Sequence, residues 1–236
     1  MPVLRPMPPL NLPASALAPF GRRWLTTQSL SRTPPYSSGQ LGNLVDGIVG
    51  EALSVMLGGI PVAAPSSTQL QPTLADCVEV GPVRVVGGVR PQNFDVGYRP
   101  DGIRIAFDSK TLNDRKSVGK NYQNMINDLA TEATTVHSRF PSAVVGFIVT
   151  IPSPCLPEGS VTNALIGTLT RLGGRRLVDE PLHRAEAMSL VVWNPIDGKI
   201  SQSVPEPDSP LRLERFSNDV ERAYHERFQG LPPHAS

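Results

Sequence analysis

The chain has 236 residues, 39% of them hydrophobic and 18% charged, with a formal net charge of +1. That length supports a packed core in one domain with appendages. No apolar run approaches the roughly 20 residues that a membrane-spanning helix needs, and the near-neutral balance gives no global pull toward nucleic acid, although basic side chains can still gather on one face.

Cys77 and Cys155 lie far apart without a CxxC companion. This argues against a disulfide framework or a structural zinc site and for a reducing, cytoplasmic compartment. His137, His183, His225 and His234 are scattered, as surface or core histidines are.

In chain order, residues 1–36 come first, with Pro2, Pro6, Pro8, Pro9, Pro13, Pro19, Pro34 and Pro35 among basic residues and no acid before Asp46. Prolines at this density predict an extended or mobile arm without a continuous helix. A plain tail, a basic arm lying on nucleic acid and a transit peptide all fit that composition, and the prolines count against the last. Residues 37–57 carry Leu41, Leu44, Val45, Ile48, Val49, Ala52, Leu53 and Met56 at helical spacing, stopped by Gly58-Gly59. One or two short strands follow over 77–86, then a hairpin over 94–110.

A second helix is expected over 117–140, with Val118, Tyr122, Met125, Ile126, Leu129, Ala133, Val136 and Phe140 as its apolar stripe. Residues 143–151 read as a buried strand, 161–172 as a helix and 188–193 as another buried strand. Residues 203–210 read as a proline-rich linker, and 211–228 as a final amphipathic helix. This order predicts an α/β fold: a mixed central β-sheet flanked by α-helices. The domain organisation that follows is a Pro-rich basic arm (1–36), a core (37–202), and a linker with a C-terminal helix (203–236).

The hairpin FDVGYRPDGIRIAFDSK carries the chemistry. Arg99-Pro100-Asp101-Gly102 is strong turn sequence, since proline presets its own dihedral and glycine accepts conformations that other residues resist. With Tyr98 facing Ile103, Asp95 falls opposite Ala106, and Asp108 lies one diagonal step further on the same face. Phe94, Val96, Tyr98, Ile103, Ile105 and Phe107 then share the core face, while Asp95, Asp108 and Lys110 share the other. Asp101 belongs to the turn, because at ~3.3 Å per residue it lies more than about 20 Å from Asp108 along the strand. Two adjacent carboxylates need a cation or protons to balance them, and they suit Mg²⁺, a hard ion that takes oxygen ligands. A lysine beside them is placed to orient an attacking water and to stabilise charge on a phosphoryl oxygen. Asp114-Arg115-Lys116 and Asp197-Gly198-Lys199 also spell acid-x-Lys, but neither sits on a strand aligned with an upstream acid.

Asp95 followed by Asp108-Ser109-Lys110 on the adjoining strand resembles the PD-(D/E)xK nuclease superfamily, which includes many type II restriction endonucleases. No proline precedes Asp95 here, a departure the superfamily tolerates. The resemblance, over about residues 37–193, implies a restriction-endonuclease-like core. It also implies Glu51 on the first helix as a further ligand beside Asp95 and Asp108, with Lys110 positioning the water. From the helix after the motif it implies a polar residue near the site: Gln123, with Lys120 and Asn124 as alternates.

The expected activity is Mg²⁺-dependent hydrolysis of DNA phosphodiester bonds, with Mn²⁺ able to substitute. A type II restriction endonuclease acting as a homodimer on double-stranded DNA fits the size, with a cognate methyltransferase as a possible companion at the same DNA site. A repair or recombination nuclease of the same fold and a non-catalytic DNA-binding subunit are the alternatives. No GxxxxGK[ST] loop and no GxSxG elbow is present, so an ATP motor or a serine hydrolase is not expected.

Overall fold

The structure, a computed structural model, describes residues 3–29, 39–66, 69–115 and 118–234. Six strands form one mixed sheet in the order β1-β2-β3-β4-β5-β6: Val62–Ala63, Val78–Val86, Pro91–Tyr98, Ile105–Thr111, Val144–Pro152 and Ala187–Trp193. The β2–β3 and β3–β4 pairs are antiparallel, whereas β1–β2, β4–β5 and β5–β6 are parallel. Parallel neighbours need a crossover, and two helices supply it: α3 (Val118–His137) joins β4 to β5, and α4 (Ser160–Leu172) joins β5 to β6. The mixed sheet flanked by helices is the α/β architecture expected from the element order.

Each face of the sheet has its own core. Helices α2 (Gly39–Met56) and α5 (Leu213–Phe228) cover one face, where Val45, Val49 and Leu53 meet Val96, Ile105, Phe107, Phe216 and Tyr224. Helices α3 and α4 cover the other, where Leu129, Ala133 and Leu165 meet Val83, Phe94, Val145 and Phe147. All nine residues of β5 are buried, which explains why that strand reads as an unbroken apolar run.

Neither end of the chain is an appendage. Residues 14–29 form helix α1 (Ala14–Ser29) despite Pro19, and Leu17 and Trp24 are buried. Pro19 lacks the amide that would bond to the preceding turn. The burial of Trp24, whose indole donates to the Asn113 carbonyl at 2.7 Å, offsets that loss. Gly21 lies so close to Pro195 that a Cβ would fall 1.9 Å from its carbonyl oxygen. Upstream of α1 the chain crosses α5: Met7 N–H donates to Glu221 at 2.8 Å, and Ser217 Oγ donates to the Pro8 carbonyl at 2.7 Å. The expectation of an extended or mobile arm is therefore corrected for residues 3–29, and the boundary at 36/37 lies outside the described residues. The C-terminal helix likewise belongs to the first core. The linker before it is held by Arg212, which donates to the carbonyls of Ser201 and Pro205 at 3.2 Å each.

The hairpin register differs from the expected one. Tyr98 pairs with Ile105, Gly97 with Ala106 and Val96 with Phe107, a shift of two residues. A wider loop replaces the tight turn, closed by the Arg104 N–H donating to the Tyr98 carbonyl and by the Asp101–Arg104 ion pair. Because side chains alternate with period two, the shift keeps every face assignment on β4 but moves Asp95 from opposite Ala106 to level with Asp108. Phe94 and Ile103 depart from the expected face: both pack with Val83 and Val85 in the second core, Phe94 beyond an irregularity in the β2–β3 ladder between Val80 and Val83 and Ile103 in the loop before β4.

Candidate metal and phosphodiester site

The last paired residues at this end of the β3–β4 ladder are Val96 and Phe107. The next residues along, Asp95 and Asp108, meet just beyond it. Asp95 accepts hydrogen bonds at Oδ2 from the Ser109 amide at 2.9 Å and from the Ser109 hydroxyl at 3.2 Å. Standing past the ladder, Asp95 reaches both sides of β4: it hydrogen-bonds Asp108 on the α3 side, and its charge also acts on Asp46 on the α2 side. Lys110, two residues after Asp108 and so on the same face, ion-pairs with Asp108 and donates to Glu132 Oε1 at 2.9 Å.

The helices supply two more acids. Asp46, from α2, is buried, hydrogen-bonds the Ser109 side chain and leaves Oδ1 without a partner. Glu132, from α3, is buried as well; Gln92 Nε2 donates to its Oε1 at 3.1 Å, and its Oε2 has no partner. Gly42, one turn before Asp46, leaves room beside the site, since a Cβ there would stand 3.2 Å from Ser109 Oγ.

These groups do not balance. Burial, reinforced by the negative charge of Asp95, pushes the Asp46 carboxyl up to about 7, against the pull of Ser109 and Lys110. Burial, the hydrogen bond to Asp95 and the charge of Glu132 push the Asp108 carboxyl well above its ordinary range, against the pull of Lys110. For Lys110, burial alone would lower the ammonium, but Asp108 and Glu132 outweigh it and hold it above its ordinary value. Additional positive charge at the cluster would favour the ionised form of both acids.

The structure brings Asp95, Asp108 and Lys110 together, as the hairpin pattern led one to expect. It does not bring Glu51 to them. Glu51 is exposed and lines a surface groove with Pro8, Leu10 and Ile48, because five residues of helix turn it well away from Asp46. Gln123 and Asn124 are also exposed, on the solvent side of α3, and the side chain of Lys120 lies outside the described residues. The polar residue that α3 sends to the cluster is Glu132. Both helical acids left a trace in the pattern. Asp46 sits between Val45 and Val49, and Glu132 falls at a position of the Leu129–Ala133–Val136 stripe where an apolar residue belongs. Asp101 pairs with Arg104 at the hairpin tip, and Asp197 accepts the Lys199 amide in an exposed turn; neither joins the site.

Among the described residues no group of three or more His, Cys, Asp or Glu side chains is placed so that it could hold a metal ion as it stands. The donor chemistry fits one nonetheless. Asp46, Asp95 and Asp108 offer hard carboxylate oxygens, one of them buried and unpartnered, and burial raises Asp46 and Asp108 above the ordinary carboxylate range. Comparison of the whole chain with family models, curated proteins and solved structures finds no match. Among the described residues no helix is long and apolar enough to cross a membrane.

Proposed function

We propose that the protein is a Mg²⁺-dependent nuclease of the PD-(D/E)xK kind that hydrolyses DNA phosphodiester bonds. The observation that carries this reading is the meeting of Asp95, Asp108 and Lys110 at the ends of adjacent strands, with the unpartnered acid Asp46 beside them. Asp46, Asp95 and Asp108 would hold the cation, which when bound neutralises charge at a phosphoryl oxygen and balances the acids. Ser109 keeps Asp95 oriented through two hydrogen bonds to Oδ2. Lys110 carries three donors, of which Asp108 and Glu132 engage two, so the third faces a water or a phosphate oxygen. In this reading Lys110 orients the attacking water and stabilises the charge that builds on the phosphate.

The finer reading is a type II restriction endonuclease working as a two-fold dimer on duplex DNA, since cutting both strands calls for two sites. A repair or recombination nuclease would use the same residues on a different DNA structure. The remaining alternative is a DNA-binding subunit that does not cut, against which the meeting of Asp95, Asp108 and Lys110 speaks.

Plasmid cleavage by the purified protein, with Mg²⁺ and with EDTA, separates these readings. Cutting is expected only with Mg²⁺, and Asp108→Ala or Lys110→Ala is expected to lower it about 10²–10⁴-fold. Equal cutting in EDTA, or a fully active Asp108→Ala, would refute the nuclease reading. Binding to duplex DNA without cutting in Mg²⁺ or Mn²⁺ would establish the subunit instead.

A further inference from the structure

Lys110 is the only cation in direct contact with the cluster's carboxylates among the described residues, and its grip is unusual for so long a side chain. A lysine has a flexible four-carbon stem, and holding its ammonium to a fraction of an ångström needs more than one acceptor. One acceptor, Asp108, is also a proposed ligand, so a cation arriving there competes for the same carboxylate. The other, Glu132, comes from the opposite wall on α3 and is not in the hairpin. Glu132 is itself fixed: it is buried, it grows from the middle of a long helix, and Gln92 of β3 donates to the same oxygen that Lys110 uses. The chain Gln92–Glu132–Lys110–Asp108 thus spans β3, α3 and β4.

We propose that Glu132 is the positioning residue for Lys110, an anchor on α3 that keeps the ammonium in place when Asp108 turns to a cation. The assignment rests on the nuclease reading for its purpose but not for its geometry. Gln92 in turn orients Glu132, so the anchor is tied to β3, the strand that carries Asp95.

The anchor can be observed without any metal. Lys110, Lys116, Lys120 and Lys199 are the chain's four lysines, so ¹⁵N-lysine labelling gives a simple ammonium spectrum. The cation-free wild type is expected to show a slowly exchanging ammonium that vanishes in Lys110→Arg. In Glu132→Gln its hydrogen exchange is expected to quicken about tenfold, as loss of a charge-assisted hydrogen bond implies. The exposed Lys199 ammonium, paired only with Asp197 at 3.4 Å, serves as the reference. An unchanged Lys110 signal in Glu132→Gln would overturn the proposal. If Glu132→Gln loses its cooperative melt, Glu132→Asp decides: it keeps the charge but draws the carboxylate back by about 1.5 Å, and the same quickening is expected.

The second measurement uses Mg²⁺ and duplex DNA. Glu132→Gln is expected to lower kcat about tenfold with KM within about twofold, and to add nothing further in a Lys110→Ala background. Equal losses in both backgrounds would mean that Glu132 acts independently of Lys110, and the proposal would fall. If the wild type cuts no DNA, the nuclease reading fails, while the exchange measurement still decides whether Glu132 anchors Lys110.

Discussion

Asp46 is buried with one carboxylate oxygen unpartnered, and its shift falls within a readily accessible pH range, which makes it an informative residue to titrate. Its carboxyl ionises near 7 in the fold against an ordinary 3.8, so between those values the unfolded chain releases a proton that the folded chain retains. Stability is therefore highest below about 3.8 as far as this group is concerned, falls as the pH rises toward 7, and levels off above it. Asp108, also raised by burial, contributes a decline in the same direction. Urea unfolding without divalent ions is expected to show a shallower loss between pH 5 and pH 8 in Asp46→Asn, which has no proton to release there. In the proposed reading Mg²⁺ would compete with these protons, and it is then expected to raise the melting temperature more at pH 8 than at pH 5. An equal shift at both values would mean that the ion binds elsewhere. At this scale the sequence was legible where alternation rules: Asp95, Asp108 and Lys110 follow from period two and a turn. Glu51 and Gln123 came from analogy of position, whereas Asp46 and Glu132 were marked by acids standing inside apolar stripes.

Among the elements, α1 departs furthest from what its composition suggests. A proline-dense, basic segment has little reason to be helical alone, and its intrinsic preference is overridden by what it docks against. Gly21 is the point of closest approach, with the Pro195 carbonyl filling the space where a side chain would stand. Gly21→Ala is favourable for an isolated helix by roughly 1 kcal/mol, yet here it is expected to destabilise the protein, because backbone rather than a flexible side chain must move. Thermal unfolding of Gly21→Ala beside the half-buried control Gly47→Ala, where a Cβ meets nothing within 4 Å, measures the difference. If both glycines behave alike, α1 does not dock as described. The helices α2 to α5 and the strands β2 to β6 were legible to within a residue or two at most ends. Their apolar periodicity is set by burial, which the sequence records directly. The docking of α1 depends on Pro195 and Asn113, far along the chain, and no local pattern reports it.

The whole molecule is knitted through its first core, where Met7, Leu10 and Leu17 from the start of the chain meet Phe216, Val220 and Tyr224 from its end. Across the sheet, Glu186 joins Arg175, Arg227 and His137, so the second layer and α5 are tied together as well. A chain joined in this way has no natural break at which a domain could melt by itself. Calorimetry is expected to give one transition, and a chain shortened to begin at residue 39 is expected to lose it. Two separated transitions would restore the arm and the C-terminal helix as independent pieces. The layering itself was legible only as a class. Alternating helices and strands announce an α/β sandwich, but which helices share a face is decided by crossovers between strands distant in sequence.

The hairpin register holds one more consequence. A pattern of alternating apolar residues encodes parity, telling each side chain which way to face, but it does not encode phase. Pairing Tyr98 with Ile103 or with Ile105 satisfies the same parity and buries the same residues, yet only the latter sets Asp95 beside Asp108. Phase is stored in the loop around Asp101 and Arg104, outside the cluster. A two-residue slip would keep every side chain on its own face and yet set the acids out of step, so a loop outside the cluster fixes which carboxylates meet in it.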